Sequence, residues 1–404
     1  MTVFTRSGWL FWALSFLVVS VVAVAPELSQ FTPTQINTGE ALSSLSQLAY
    51  NNTATTSNAK ARGSACSAST LRVRREWRTL SKPERRSYIV AVKCLQAKPS
   101  LLDPISFPGA KSLFDDFVAI HLMQTMNIHL SGTFLTWHRY FTHVFEERLR
   151  TDCGYTGTVP YWEWGLDVSN PAASPIFDGS DTSLGGNGDF FPHDGLILTE
   201  PLNETALIPQ PPGTGGGCVT TGPFANMTVH IGPLALAQYG GGSYGVPNPL
   251  DDHARCLKRD LNAGVASKYT TFFNTTRVIL EHSTVEWFQG VLQGDPRYVR
   301  GELGVHGGGH FTIGGDPGAD PFISPGDPAF YLHHSQVDRV YWIWQMLDFA
   351  NRQAVFGTQT FLDSPPSPDV TLDDVIDISP LAPPVKVRDL LDTVGGSPLC
   401  YVYL

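Results

Sequence analysis

The stretch Asp327-Pro328-Ala329-Phe330-Tyr331-Leu332-His333-His334-Ser335-Gln336-Val337-Asp338-Arg339 opens a helical pattern that continues to about Phe349. Tyr331, Leu332, Val337, Tyr341, Trp342, Trp344 and Leu347 supply its apolar surface, and His334 belongs to the same helix. Upstream, His306 and His310 stand at i and i+4, so on a helix both rings point to one side. The glycines between them, Gly307–Gly309, speak against a helix there, since each interior glycine costs about 1 kcal/mol relative to alanine. Farther upstream His121, His129 and His138 follow at intervals of eight and nine. The first and last of these fall in helical stretches at about 111–126 and 135–150, and the second lies between them. Three imidazoles from a helix pair and its linker can meet a metal in the space between. Each group alone could be a metal triad. Together they suggest two metals facing each other across a helical bundle.

Neutral imidazole suits zinc, copper, iron and nickel, so ligand type alone does not choose the metal. Six imidazoles without a carboxylate argue against a di-iron site, which uses Glu and Glu-x-x-His from bundle helices. The spacer between His306 and His310 also lacks the glutamate of a zinc-protease helix. An all-neutral set leaves the metal charge to exogenous anions, which favours the low charge of copper(I). His143, His193, His230, His253 and His282 read as core or surface residues.

The remaining chain reads as one mainly α domain with long loops. Ser81-Lys82-Pro83-Glu84 marks a helix start. Glycine and proline clusters between 155 and 250 mark long loops, and helical patterning returns at about 250–262 and 275–293. The apolar end, Leu399 to Leu404, could be a strand. Residues 26–60, rich in Ser, Thr, Asn and Ala, read as a flexible arm. The domain proper is then 61–404.

The 404 residues carry a net charge of −10 with only 16% charged residues, and that acidic balance argues against a nucleic-acid surface. Arg6, an apolar run from Trp9 to Ala25, and Ala23-Val24-Ala25 form a signal segment over 1–25. Two readings stay open: a cleaved signal peptide, or an uncleaved type II anchor that would put the chain on a membrane. Both send the domain into the secretory pathway. Sequons at Asn51, Asn203, Asn226 and Asn274 are candidate glycosylation sites there. Six cysteines without a CxxC pair suggest up to three disulfides, with fifteen possible connectivities.

The flanks of the histidines carry a resemblance. Phe134-Leu135-Thr136-Trp137-His138-Arg139-Tyr140-Phe141, with Glu146 eight residues after His138, resembles the first copper motif of the tyrosinase, catechol oxidase and haemocyanin family. The stretch from Asp327 to Arg339 resembles its second, and Pro160-Tyr161-Trp162-Glu163-Trp164 a further segment. The likeness covers about 65–404 and is greatest to short secreted fungal members. It implies a dicopper centre in an antiparallel four-helix bundle, with His121, His129 and His138 on one copper and His306, His310 and His334 on the other. In that pattern His333 is a neighbour rather than a ligand. Asp338, one turn after His334, is expected to orient the rings, with Asp327 in a similar role. Tyr401-Val402-Tyr403 resembles the end of the family's catalytic domain, so no C-terminal shielding domain is expected.

Three departures bear on activity. Asn127 stands where many fungal members carry a cysteine that forms a thioether with the middle ligand. Gly307 stands where monophenol-hydroxylating members often carry Asn. Pro321 takes the place of a shielding Phe of plant relatives, with Phe322 beside it, so Pro321, Phe322 and Gly307 are expected at the substrate entrance. The resemblance implies an oxidase of small phenols that uses two copper ions and O2. It favours o-diphenols or o-aminophenols going to o-quinones, in fungal secondary metabolism or pigment formation. The rivals are a true tyrosinase hydroxylating monophenols, a haemocyanin-like O2 carrier, and a zinc-loaded or structural relative.

Overall fold

In this computed structural model the helices run α1 (Pro33–Asn37), α2 (Glu40–Lys60), α3 (Lys82–Ala97), α4 (Leu113–Ile128), α5 (Phe134–Cys153), α6 (Ala263–Tyr269), α7 (Phe272–Glu281), α8 (Val285–Gln293), α9 (Gly304–Ile313), α10 (Gly315–Gly318) and α11 (Ala329–Leu347). Residues 25–60, 66–67, 69–395 and 397–404 are described, so the signal segment expected at 1–25 lies outside them except for Ala25. The histidine-bearing helices α4, α5, α9 and α11 form the core of a mainly α fold with few short strands. Every residue of α11 is buried. Phe117 of α4 meets Phe141 and Phe145 of α5 edge to face at 5.3 Å, and Tyr331 of α11 at 6.2 Å. Such pairs contribute about 0.5–1.5 kcal/mol each beyond the area they bury.

The helix ends follow local chemistry. At α3 the Ser81 hydroxyl accepts from Glu84 N while the Glu84 carboxylate accepts from Ser81 N at 2.7 Å, a reciprocal cap. Gly154, at φ +65°, closes α5 in the left-handed conformation.

Two sequence expectations are corrected. The segment 26–60 is not a flexible arm over most of its length: α1 and α2 dock on the domain, burying Ile36, Ala41, Leu42, Leu45 and Ala49. Asn52 Nδ2 also donates to Met346 O at the end of α11, at 2.8 Å. The apolar residues recur at helical spacing, and the small polar residues between them hide that period in the composition. The helix expected at 250–262 is extended chain. Arg255–Cys256 pairs antiparallel with Thr228–Val229. Lys258, Asp260 and Asn262 then donate from alternate backbone nitrogens to Asp316, Ile313 and Thr312, which is strand periodicity. The helix starts only at Ala263, capped by Asn262. The i, i+4 spacing of His306 and His310 does lie on a helix, α9, which runs through Gly307–Gly309 despite their low propensity. A Cβ on Gly308 would lie 2.3 Å from Tyr269 Cβ of α6, and one on Gly309 would lie 2.2 Å from His333 Cε1 of α11. Close helix approach outweighs the propensity cost. The stretch 275–293 is two helices, α7 and α8, because Thr284 caps the second.

The chain closes on itself at its ends. Arg72–Arg74 lies parallel to Tyr401–Tyr403, with Arg74 opposite Tyr403. The disulfides are Cys66–Cys400, Cys94–Cys153 and Cys218–Cys256, which suits an oxidising compartment. No helix among the described residues is long and apolar enough to cross a membrane. Asn51, Asn203 and Asn226 are exposed, whereas Asn274 is half-buried and its Nδ2 donates to Lys268 O at 2.7 Å.

Candidate metal centre

His121 projects from the middle of α4, and His129 is the extended residue that ends it. The following turn is tight: Leu130 takes φ +46°, its N–H donates to Gln293 Oε1 at 2.8 Å, and Gly132 N donates to Thr358 O at 2.8 Å. His138 enters from the second turn of α5. In each of the three rings Nδ1–H donates to a backbone carbonyl: His121 to Phe322 (2.9 Å), His129 to Thr125 (3.1 Å) and His138 to Phe134 (2.8 Å). A proton held on Nδ1 leaves the Nε2 lone pair as the donor. Nε2 of His121 and of His138 are buried without a protein partner, and one ligating nitrogen from each of the three rings lies within 4.8 Å of the others.

The second group is as close. His310 Nε2 is 3.2 Å from His306 Nε2 and 3.1 Å from His334 Nε2, so α9 and α11 bring three nitrogens to one point. The two groups face each other. The His138 and His334 rings stack at 4.5 Å, and those of His129 and His306 lie 5.9 Å apart. Burial pushes every one of these imidazoles down, His129 to about 4 and the other five well below their ordinary value. They are therefore neutral near pH 7, and for all but His129 the neighbouring imidazoles add to the effect. Two neutral, all-nitrogen triads, one with orphaned donor atoms and the other with three Nε2 atoms converging, fit copper, and His121, His129 and His138 would hold one ion and His306, His310 and His334 the other. The remaining histidines other than His333 join neither group.

The expected ring-orienting carboxylates act elsewhere, a further correction. Asp338 makes its hydrogen bonds to Arg139 Nε (2.5 Å), Tyr401 OH (2.5 Å), Tyr403 OH (2.6 Å) and Arg74 Nη1 (3.4 Å). Burial would raise its carboxyl, but Arg139 and Arg74 hold it below the usual carboxylate range. Asp327 grips the buried Arg259 with both oxygens at 2.7 Å and accepts from Ala329 N at the start of α11. For the first triad, backbone carbonyls do the orienting that the sequence assigned to these acids. His333 is fully buried beside the second group, where the His306 backbone is the one polar group offered to its ring and neither ring nitrogen makes a regular hydrogen bond. Gly307 is half-buried, with only Leu303 Cβ within 4 Å of where its own Cβ would stand. Pro321 is exposed, and Phe322 touches the centre through its backbone carbonyl.

Sequence reading passed over Thr125 and Phe134, although each lies four residues before its histidine, the spacing at which a ring at a helical i+4 position reaches back. Arg74, Arg259 and Phe322 carried no such signal.

The description "common central domain of tyrosinase" matches residues 111–347. The chain is 41% identical over 313 residues to tyrosinase-like protein orsC of Emericella nidulans, covering 75% of this chain and 82% of that one. It is 40% identical over 340 residues to tyrosinase P of Aspergillus terreus, covering 82% and 91%. N-acetyl-6-hydroxytryptophan oxidase ivoB of Emericella nidulans is 36% identical over 353 residues, covering 84% and 93%. Among solved structures, a glycine-to-asparagine mutant of a polyphenol oxidase from Thermothelomyces thermophila superposes with a TM-score of 0.83 at 42% identity, covering 90% of this chain and 98% of that one.

Proposed function

The chain belongs to the tyrosinase family, and from that premise we propose that it oxidises o-diphenols to o-quinones, or o-aminophenols to the corresponding o-quinone imines, with O2. It is a type 3 copper oxidoreductase. The observation that carries the reading is the pair of facing neutral imidazole triads, the first with its Nδ1 protons committed to carbonyls and the second with three Nε2 atoms brought together. Copper bound there supplies the exchange of electrons between phenol and dioxygen. Each diphenol gives up two electrons and two protons. Over two turnovers O2 takes four of each and leaves as two waters.

The protein's part is positional. Carbonyls of Phe322, Thr125 and Phe134 fix the tautomers of three rings, so those donors face inward at no reorganisation cost during turnover. Gly307, Pro321 and Phe322 form the entrance in this reading. With no amide at Gly307 to help take a proton from a bound monophenol, diphenol oxidation is favoured over hydroxylation. The fungal relatives, one named for oxidising a hydroxytryptophan, support a place in fungal secondary metabolism or pigment formation. Secretion and glycosylation at Asn51, Asn203 and Asn226 are part of the same proposal.

The test is oxygen uptake by the copper-loaded protein with a catechol and its matching monophenol in parallel, against a zinc-loaded control. Catechol is expected to give quinone at once and the monophenol slowly or not at all. Equal rates on both would replace this reading with a true tyrosinase, and reversible O2 uptake without catechol loss would replace it with an O2 carrier.

A further inference from the structure

His333 differs from the other histidines at the centre. Its ring is fully buried, and the one polar group offered to it is the His306 backbone on α9, too loosely placed for a regular hydrogen bond, so hydrogen bonding alone does not explain its placement. It touches the rings of all three neighbours. It is parallel to His306 at 5.7 Å, edge-on to His310 at 4.5 Å and edge-on to His334 at 5.0 Å. The far side of the ring lies against Trp164 at 5.3 Å.

What makes room for it is one missing atom. A Cβ on Gly309 would fall 2.2 Å from His333 Cε1 and 2.4 Å from Nδ1, well inside any tolerated contact. Gly309 lies on α9 between His306 and His310, and His333 immediately precedes His334 on α11. The ring therefore sits in a notch between the two helices that carry this triad. It fills that notch at the point where the 3.1 and 3.2 Å separations between Nε2 atoms are set.

We propose that Gly309 and His333 form a steric interlock that fixes the spacing of α9 against α11, which makes His333 a positioning residue for the second triad. The proposal rests on the reading that His306, His310 and His334 hold copper. Its rival makes His333 a fourth nitrogen donor, since one of its nitrogens lies within 4.8 Å of the ligating atoms of the other three. The two differ in what a compensating change does. An interlock can be restored by exchanging which partner carries the bulk, whereas a lost donor cannot.

The experiment measures copper per chain by elemental analysis after dialysis against a competing chelator, with thermal unfolding of the metal-free proteins alongside. Gly309→Ala is expected to fall from about two ions to about one, because the added methyl displaces the ring. The double variant Gly309→Ala/His333→Ala is expected to retain more copper than Gly309→Ala alone, as the new methyl occupies the space the ring has left. Should Gly309→Ala not fold, recovery of a folded, copper-binding double variant supports the interlock equally. Full copper retention by Gly309→Ala overturns it, and so does a double variant no better than that single one. The wild type and His334→Ala serve as controls for the ligand reading itself. If the wild type holds no copper, or His334→Ala keeps the full complement, that reading fails and the comparison of the other variants is not charged with it.

Discussion

Two arginines and two tyrosine hydroxyls converge on the Asp338 carboxylate. Neutralising it strands Arg139, whose guanidinium is completely buried. Asp338→Asn is expected to destabilise the metal-free chain by about 3–5 kcal/mol, read from urea unfolding. Glu146 gives a pH signature of the same kind. Burial works to raise its carboxyl, but Arg74 at 3.0 Å and the Val159 N–H at 2.9 Å bring it below the ordinary 4.5. Its folded value is the depressed one, so its stabilisation is complete above about 4.5 and is lost as pH falls through the folded value. Unfolding free energy should therefore fall more steeply with acidification below pH 4.5 in the wild type than in Glu146→Gln. An equal slope would remove Glu146 from the account. At the entrance, Gly307→Asn needs only a small shift of Leu303, whose Cβ is 3.1 Å from the added atom. It is expected to keep both coppers and raise the monophenol-to-diphenol rate ratio severalfold, measured in the parallel assay. The grouping of the histidines was legible at this scale because each cluster shows in the chain, with one pair, His306 and His310, at a helical interval. The partners of Asp338 and Asp327 were not, because arginines from remote segments reach them.

Helix α2 shows how composition can mislead about an element. Its Ser/Thr/Asn content suggested solvent, yet Leu42, Leu45 and Ala49 make one face packed on the core. Leu45→Ala should cost about 2–5 kcal/mol of stability in chemical denaturation. A change within about 0.5 kcal/mol, the usual effect of an exposed substitution, would restore the flexible-arm reading. Helix α9 makes the converse point. Its glycines lowered helix propensity, but Gly308 and Gly309 are where α6 and α11 come close, and a weak intrinsic preference yields to packing. The α3, α5 and α11 patterns were legible since capping residues and apolar periods coincide there. The 250–262 segment was misread because its partners, Thr312, Ile313 and Asp316, lie some fifty residues on.

Across the whole molecule, Cys66–Cys400 joins residues 334 apart and pins Tyr401–Tyr403 beside Arg72–Arg74. Replacing both cysteines with serine should cost about 2–5 kcal/mol, seen as a lower denaturation midpoint. The sequence by itself determined the mainly helical class, the two clusters of three histidines and the chemistry such neutral donors invite. It also determined a cysteine set suited to an oxidising compartment. The helical class is written in short apolar periods, which helix geometry converts directly into shared faces, and the histidines and cysteines show in their grouping and number. The tertiary structure alone decided the disulfide pairing, the docking of α2, the glycine contacts that let α9 approach its neighbours, and the carbonyl that holds His121. That last hydrogen bond spans 201 residues. A contact of that kind depends on how helices cross, which no local period along the chain encodes.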